Sequence, residues 1–308
     1  MPLGVFFALL SYSIYSCGDA ITKSFSGQLG VFEIGFVANL FALVPAMLAK
    51  RPHEKWRCAF QLASPWLLHV RGVMAVASSI SIVYAFVTIP LAEAYAIAFT
   101  TPLFLSLLSV LVLKERISPS RWLLVGLSFV GVMIVVRPGF RELQPGHLAA
   151  LFSAATSAAS TTLLRMVSGK ESRLSIIAMN GAYQLGGNGI FLLFTFSMLG
   201  WFDLLRLAAI GLFGGVAQLL VIAALQRAPA SHVAPAQYVQ ILWAVSFGSL
   251  FYAEFPDSIG ICGLVVVTLA GLATIFADGA RTRVAGRWSE FRARRGGPKF
   301  TEVEGPEI

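Results

Sequence analysis

The stretch from Tyr84 to Pro138 returns 139 residues later, without a gap, near the C-terminal end of the chain: Pro90 falls on Pro229, Glu115 on Glu254, and the apolar run after Arg121 on the run after Gly260. A chain patterned this way folds as two copies of one unit. What the unit is follows from its apolar runs. Several reach about 20 residues, the length a helix needs to cross a bilayer core at about 1.5 Å per residue. They are continuous rather than alternating, which argues against barrel strands. With 57% hydrophobic residues, 12% charged residues and a mean hydropathy of +0.77, the chain is too apolar for a water-soluble domain.

The formal charge of +8 does not point to nucleic acid, because seven of the 23 basic residues lie in the tail beyond Ala280. A membrane surface is the partner that such a tail suits. Cys17, Cys58 and Cys262 are odd in number, far apart and without metal spacing, so neither a disulfide frame nor a metal site is expected. No motif calls for a cofactor. The first apolar run lacks a basic leader and a small-residue cleavage site, and is read as a retained helix.

The spans are placed at 3–22, 31–49, 66–88, 91–113, 121–137, 145–166, 174–200, 203–226, 230–252 and 258–277. Proline at 90 and 229 ends one helix just before the next begins, so spans 3 and 4, and likewise 8 and 9, form tight antiparallel hairpins. Lysine and arginine in short loops stay cytoplasmic. With the N-terminus inside, 19 basic residues fall on the cytoplasmic side, and only Lys23, Arg137, Arg141 and Arg206 fall outside. Both termini are therefore expected in the cytoplasm.

Span 1 also aligns with span 6, at an offset of 142: Gly4 with Gly146, Ser11 with Ser153, Lys23 with Arg165. Each copy then holds five helices. Because five is odd, the second copy enters the membrane from the opposite side. The expected architecture is an all-α polytopic membrane protein with ten transmembrane helices in two inverted five-helix repeats, 1–139 and 140–279, followed by a basic cytoplasmic tail, 280–308.

The run TTPLFLSLLSVLVLKER at 100–116, followed by RW at 121–122, a glycine-punctuated helix and RPG at 137–139, resembles the EamA module of the drug/metabolite transporter superfamily. The resemblance covers both halves, roughly residues 3–279, and the second copy is more degenerate, with Ala253-Glu254 standing where Lys114-Glu115 does. Within that superfamily the chain looks like the YddG-type amino-acid exporters. The resemblance implies a bacterial-type inner membrane, cytoplasmic termini and efflux of small metabolites, with aromatic and other neutral amino acids as the substrate class.

Inverted-repeat carriers bind substrate near the midplane between the repeats, so polar residues at span centres that recur under the offset are the candidates. Ser79 matches Gln218, Thr101 matches Gln240, Ser11 matches Ser153 and Tyr15 matches Ser157. A buried amide or hydroxyl without a partner costs a few kcal/mol. Such groups therefore either bond across helices or face a wet cavity. Serine at a helix contact often only permits close packing, whereas Gln218, Gln237 and Gln240 are bulky and rare in a span. The aromatic candidates are Tyr95, Phe99, Tyr238 and Trp243, with Tyr84 and Tyr183 weaker. The substrate-binding set is thus Ser79, Tyr95, Phe99, Thr101, Ser157, Gln218, Gln237, Tyr238, Gln240 and Trp243.

No charged residue sits at a span centre, which suits a zwitterion or an uncharged organic molecule better than a strongly charged ion. If a proton is coupled, Asp19 and Glu93, both toward outer ends, are the first candidates, against the plain reading of carboxylates at the membrane surface. Pro102 interrupts span 4 near its middle and Pro235 interrupts span 9 early, Pro45 lies late in span 2, and glycines at 186, 187, 189, 211, 214 and 215 permit close contact or bending. In the tail, Val284, Trp288 and Phe291 are spaced for a short amphipathic helix on anionic lipid, with a disordered tail as the rival. A membrane-embedded enzyme would need a catalytic constellation at one depth, and the four histidines are scattered without one. A channel remains as a second rival, although duplication into inverted halves favours a two-state carrier. Oligomeric state leaves no mark in the sequence.

Overall fold

The computed structural model describes residues 3–48, 62–114, 117–137, 142–167, 170–195, 197–228 and 230–274. These residues form ten helices and no strand: α1 Leu3–Lys23, α2 Val31–Leu48, α3 Pro65–Thr88, α4 Leu91–Leu111, α5 Pro119–Val136, α6 Pro145–Val167, α7 Arg173–Thr195, α8 Trp201–Arg227, α9 230–252 and α10 Ser258–Thr274. The basic tail with Val284, Trp288 and Phe291 lies outside the described residues, as do His53, Cys58, Glu115, Arg116, Arg141, Pro229 and the basic residues at 50, 51, 55 and 57.

Two helices are interrupted. α4 breaks at Phe99–Thr100, between Leu91–Ala98 and Thr101–Leu111. Pro102 offers no N–H to the preceding turn and disfavours helical geometry at the residue before it. α9 starts as one turn, Ala230–Val233, tightens to 3-10 geometry over Ala234–Tyr238 around Pro235, and becomes regular over Val239–Tyr252. Phe99, at the break of α4, corresponds under the offset of 139 to Tyr238, the last residue of the 3-10 stretch, so the interruptions of the two copies overlap at this position. The turns after the two helices agree as well. Lys114 and Ala253 are equivalent, and both have φ of 54°, a left-handed conformation that costs a residue with a Cβ about 1 kcal/mol or more. After Ala253 the N–H of Glu254 closes back on Gly248 O at 2.9 Å. The turn survives a change from lysine to alanine because it satisfies backbone groups, not side chains.

Packing is exchanged between the copies. α1 lies along α8 and α6 along α3; α2 contacts α7 and α8, and α7 contacts α2 and α3. The buried stripe of α1, with Gly4, Ala8, Ser11 and Ala20, recurs on α6 as Gly146, Ala150, Ser153 and Thr162. Small residues there let backbones approach, which is how helices associate in lipid. A Cβ on Gly4 would meet Ala228 Cβ at 2.5 Å, and one on Gly146 would meet Thr88 Oγ1 at 2.2 Å, at the equivalent helix end. Ser11 Oγ donates to Ala217 O at 2.7 Å, and Ser153 Oγ donates to Ser78 O at 2.9 Å. Ala217 and Ser78 are themselves 139 residues apart.

The outer faces are apolar and open: Leu193, Phe194, Phe202 and Leu250 are each at least 75% exposed. In water such a surface would aggregate; in lipid it is the solvent-matched face. Among the described residues, four helices are long and apolar enough to cross a bilayer, Leu3–Lys23, Pro65–Thr88, Leu91–Leu111 and Trp201–Arg227. The other six carry more small and polar residues on their contact faces or are shorter. The protein is an all-helical, polytopic integral membrane protein.

Candidate substrate site

Where α4 and α9 break, side chains of the two copies meet. The Phe99 and Tyr238 rings stack with centroids 4.7 Å apart and planes 17° from parallel, and Tyr95 continues the aromatic column 6.4 Å from Phe99. Tyr238 is seated by Gly271, where an added Cβ would fall 1.7 Å from its hydroxyl. Beneath the pair is a cavity of about 270 Å³, lined by Phe99, Thr100 and Leu103 from α4, Gln237 and Tyr238 from α9, and Phe129 of α5 among others. Its walls are mostly apolar with a few neutral polar groups, and none of the named lining residues is charged.

A network of hydrogen bonds joins α1 to the second copy beside this column. Gln240 Nε2 donates to the Tyr95 hydroxyl at 3.2 Å, and that hydroxyl donates to the Asp19 carboxylate. Tyr15 donates to Gln218 Oε1 at 2.8 Å, and Trp243 Nε1 donates to Ser13 Oγ at 2.8 Å.

Of the ten residues marked in the sequence, Phe99, Gln237 and Tyr238 line the cavity, and Tyr95, Gln218, Gln240 and Trp243 belong to the adjoining network. Thr101 sits at the helix break and donates to Ala98 O at 2.7 Å, so its hydroxyl is occupied by local backbone. Ser79 and Ser157 join neither group by a hydrogen bond among the described residues; the neighbouring Ser78 makes the contact with Ser153. Tyr183, a weaker candidate, is engaged with His69 at 2.7 Å.

At the end of the bundle carrying Lys23, an ion pair and hydrogen bonds join the two copies. Lys23 Nζ lies 2.7 Å from Glu254 Oε1 and donates to Ile89 O at 2.6 Å; Glu254 Oε2 accepts from Leu91 N at 3.1 Å. Tyr252 adds a hydrogen bond to Ala20 O. A buried ion pair of this kind is held by its extra hydrogen bonds as much as by its charges. Sequence reading missed the pairing, because Lys23 and Glu254 are joined only when α1 meets the end of α9. Their repeat counterparts, Arg165 and Glu115, were the available signal. Glu93, one of the two carboxylates considered for proton coupling, lies 2.9 Å from His147 Nε2 at the same end. Asp19 is half-buried and accepts from Tyr95, whose hydroxyl in turn accepts from Gln240 of the second copy. Buried Glu33 holds the N–H and hydroxyl of Ser197 and is structural. Among the described residues no three His, Cys, Asp or Glu side chains gather as a metal site.

The model of the EamA-like transporter family matches residues 2–137 and again 144–276. The chain belongs to the EamA-like transporter family. This EamA-like protein is 23% identical over 280 residues to an S-adenosylmethionine uptake transporter of Rickettsia prowazekii, covering 89% of this chain and 93% of that one. It is 28% identical over 277 residues to the pseudopaline exporter CntI of Pseudomonas aeruginosa, covering 88% and 95%. It is 29% identical over 284 residues to human solute carrier family 35 member G1, covering 82% and 73%. A crystal structure superposes with a TM-score of 0.60 at 15% identity, covering 91% of this chain and 98% of that one, a likeness of fold. The EamA-like chain is therefore a small-molecule transporter of the membrane. The relatives include both an importer and an exporter of different solutes, so neither cargo nor direction passes from them to this protein.

Proposed function

We propose that this EamA-like protein is a secondary transporter that exports small neutral metabolites, with aromatic and other neutral amino acids as substrates, by alternating access between two inverted copies. The observation that carries the proposal is the Phe99–Tyr238 pair over a cavity of about 270 Å³, a volume that suits an amino acid. Aromatic walls with the neutral Gln237 and Thr100 favour an uncharged or zwitterionic solute with an apolar side chain. The exchanged packing of α1 on α8 and α6 on α3 supports inverted copies that rock against one another. The ion pair at the Lys23–Glu254 end, with the cavity in the opposite half of the bundle, supports a state that opens toward the cytoplasm if the termini lie there, as the basic loops suggest.

Counterflow in proteoliposomes tests the reading. Labelled phenylalanine and leucine are expected to show saturable uptake accelerated by internal unlabelled substrate. Flux without saturation or exchange makes the protein a channel. No flux across a broad neutral panel removes the amino-acid assignment, and competition by nucleoside-like compounds would then identify another cargo.

A further inference from the structure

The Asp19–Tyr95–Gln240 chain has no counterpart in the other copy. The offsets put Thr161 at the position of Asp19, Ala234 at that of Tyr95 and Thr101 at that of Gln240. Repeat packing therefore does not require it, unlike the Ser11 and Ser153 bonds, which occur twice. The chain is also incomplete. Tyr95 uses its proton on Asp19 and accepts from Gln240, while Asp19 Oδ1 and Gln240 Oε1 have no hydrogen-bond partner among the described residues. No cation among them pairs with Asp19 either. Lys23, one turn further along α1, is held by Glu254 and Ile89 O. A carboxyl group within a span and without a counter-ion is costly, and such groups mark substrate, ion or proton paths.

We propose that Asp19 receives the ammonium group of the substrate, with Gln240 as second acceptor and Tyr95 as the residue that positions the carboxylate. An ammonium carries three donors and no acceptor, which matches the two unused acceptors, and its arrival would favour the ionised form of the carboxyl group. One turn before Asp19 on the same face of α1, about 6 Å away, Tyr15 donates to Gln218 Oε1 and leaves that amide's N–H groups for a carboxylate. The inference rests on the reading of the protein as an amino-acid carrier and names the group that recognises the cargo; Asp19, Tyr95 and Gln240 do not line the cavity but adjoin it through the Tyr95–Phe99 stack.

The test is equilibrium binding to the full chain in nanodiscs, using phenethylamine, which has the ammonium alone, and 3-phenylpropionate, which has the carboxylate alone. Asp19→Asn is expected to weaken phenethylamine by about tenfold or more, the scale of a charged hydrogen bond, and to leave 3-phenylpropionate unchanged. Gln240→Leu should weaken the amine by a smaller factor with the same selectivity, and carries the test if Asp19→Asn fails to fold. Phenethylamine that does not bind the wild type, or binds the variants equally well, overturns the proposal. So does an equal loss of both probes, which makes the residue merely structural. Unchanged amine affinity with loss of a pH-gradient effect on flux would make Asp19 a proton site and also overturns it. Amine binding that depends on Asp19 in a protein showing no amino-acid counterflow would remove the export reading and leave this site standing.

Discussion

Phe99 and Tyr238 occupy the same position in the two copies and yet lie on each other, 4.7 Å apart. Equivalent residues can touch only at the boundary between the copies, so this pair marks the centre of the interface. Stacking of this kind contributes about 0.5–1.5 kcal/mol. Tyr238→Ala and Gln240→Ala are each expected to lower transport efficiency by roughly three- to tenfold without lowering the folded yield in membranes. Unchanged kinetics in both variants would move the site elsewhere.

The Lys23–Glu254 tie should govern opening at its end of the bundle. Glu254→Gln keeps an acceptor for Leu91 N but loses the ion pair. In a background lacking Cys58 and Cys262, it should raise labelling of Cys17 by an impermeant thiol reagent added from the Lys23 side. Exchanging the two charges should restore closure only in part, because a lysine at 254 cannot accept from Leu91. No change in labelling would mean that the tie does not hold this end closed.

Glycines in α8 separate packing from flexibility. A Cβ at Gly211 would fall 2.2 Å from Ala38 O and 2.6 Å from Phe41 Cβ, whereas at Gly214 nothing lies within 4 Å. Gly211→Ala should destabilise the protein by about 1–3 kcal/mol through overpacking, and Gly214→Ala should leave it unchanged in a detergent melting experiment. Equal shifts would show that α8 does not hold this distance from α2.

Ser11 and Ser153 make equivalent bonds from opposite copies, at 2.7 and 2.9 Å. Replacing either with alanine should cost about 0.6–2 kcal/mol, the range for hydrogen bonds between membrane helices. A loss at one position only, read by thermal unfolding, would mean that the two interfaces are not equivalent in energy.

Much of the fold was legible because it is written along the chain. Pro102 and Pro235 foretold the interruptions of α4 and α9, since a missing N–H acts locally. The equivalence of Lys114 and Ala253 was visible as an alignment, although their shared left-handed turn was not. The site was legible in part. Phe99, Gln237 and Tyr238 line one cavity, but Thr101 turns back on its own backbone and Ser79 gives way to Ser78, because one residue along a helix is a rotation of about 100°. Asp19 and Lys23 looked alike as charges near an outer end. One accepts from Tyr95 and the other became half of an ion pair.

Residue order by itself determined that this chain is a duplicated helical membrane protein and roughly where its helices lie and break, although the seventh helix ends at Thr195 and not at 200, because length, hydropathy and repeat offset are properties of sequence position. Tertiary structure alone decided that α1 meets α8 and α9, and hence that Lys23 pairs with Glu254 and that Tyr95 joins Asp19 to Gln240. A polar side chain's partner depends on how helices far apart in sequence are rotated and which of them touch. That geometry is set by the fit of small residues across the whole interface, not by any stretch of the chain taken alone.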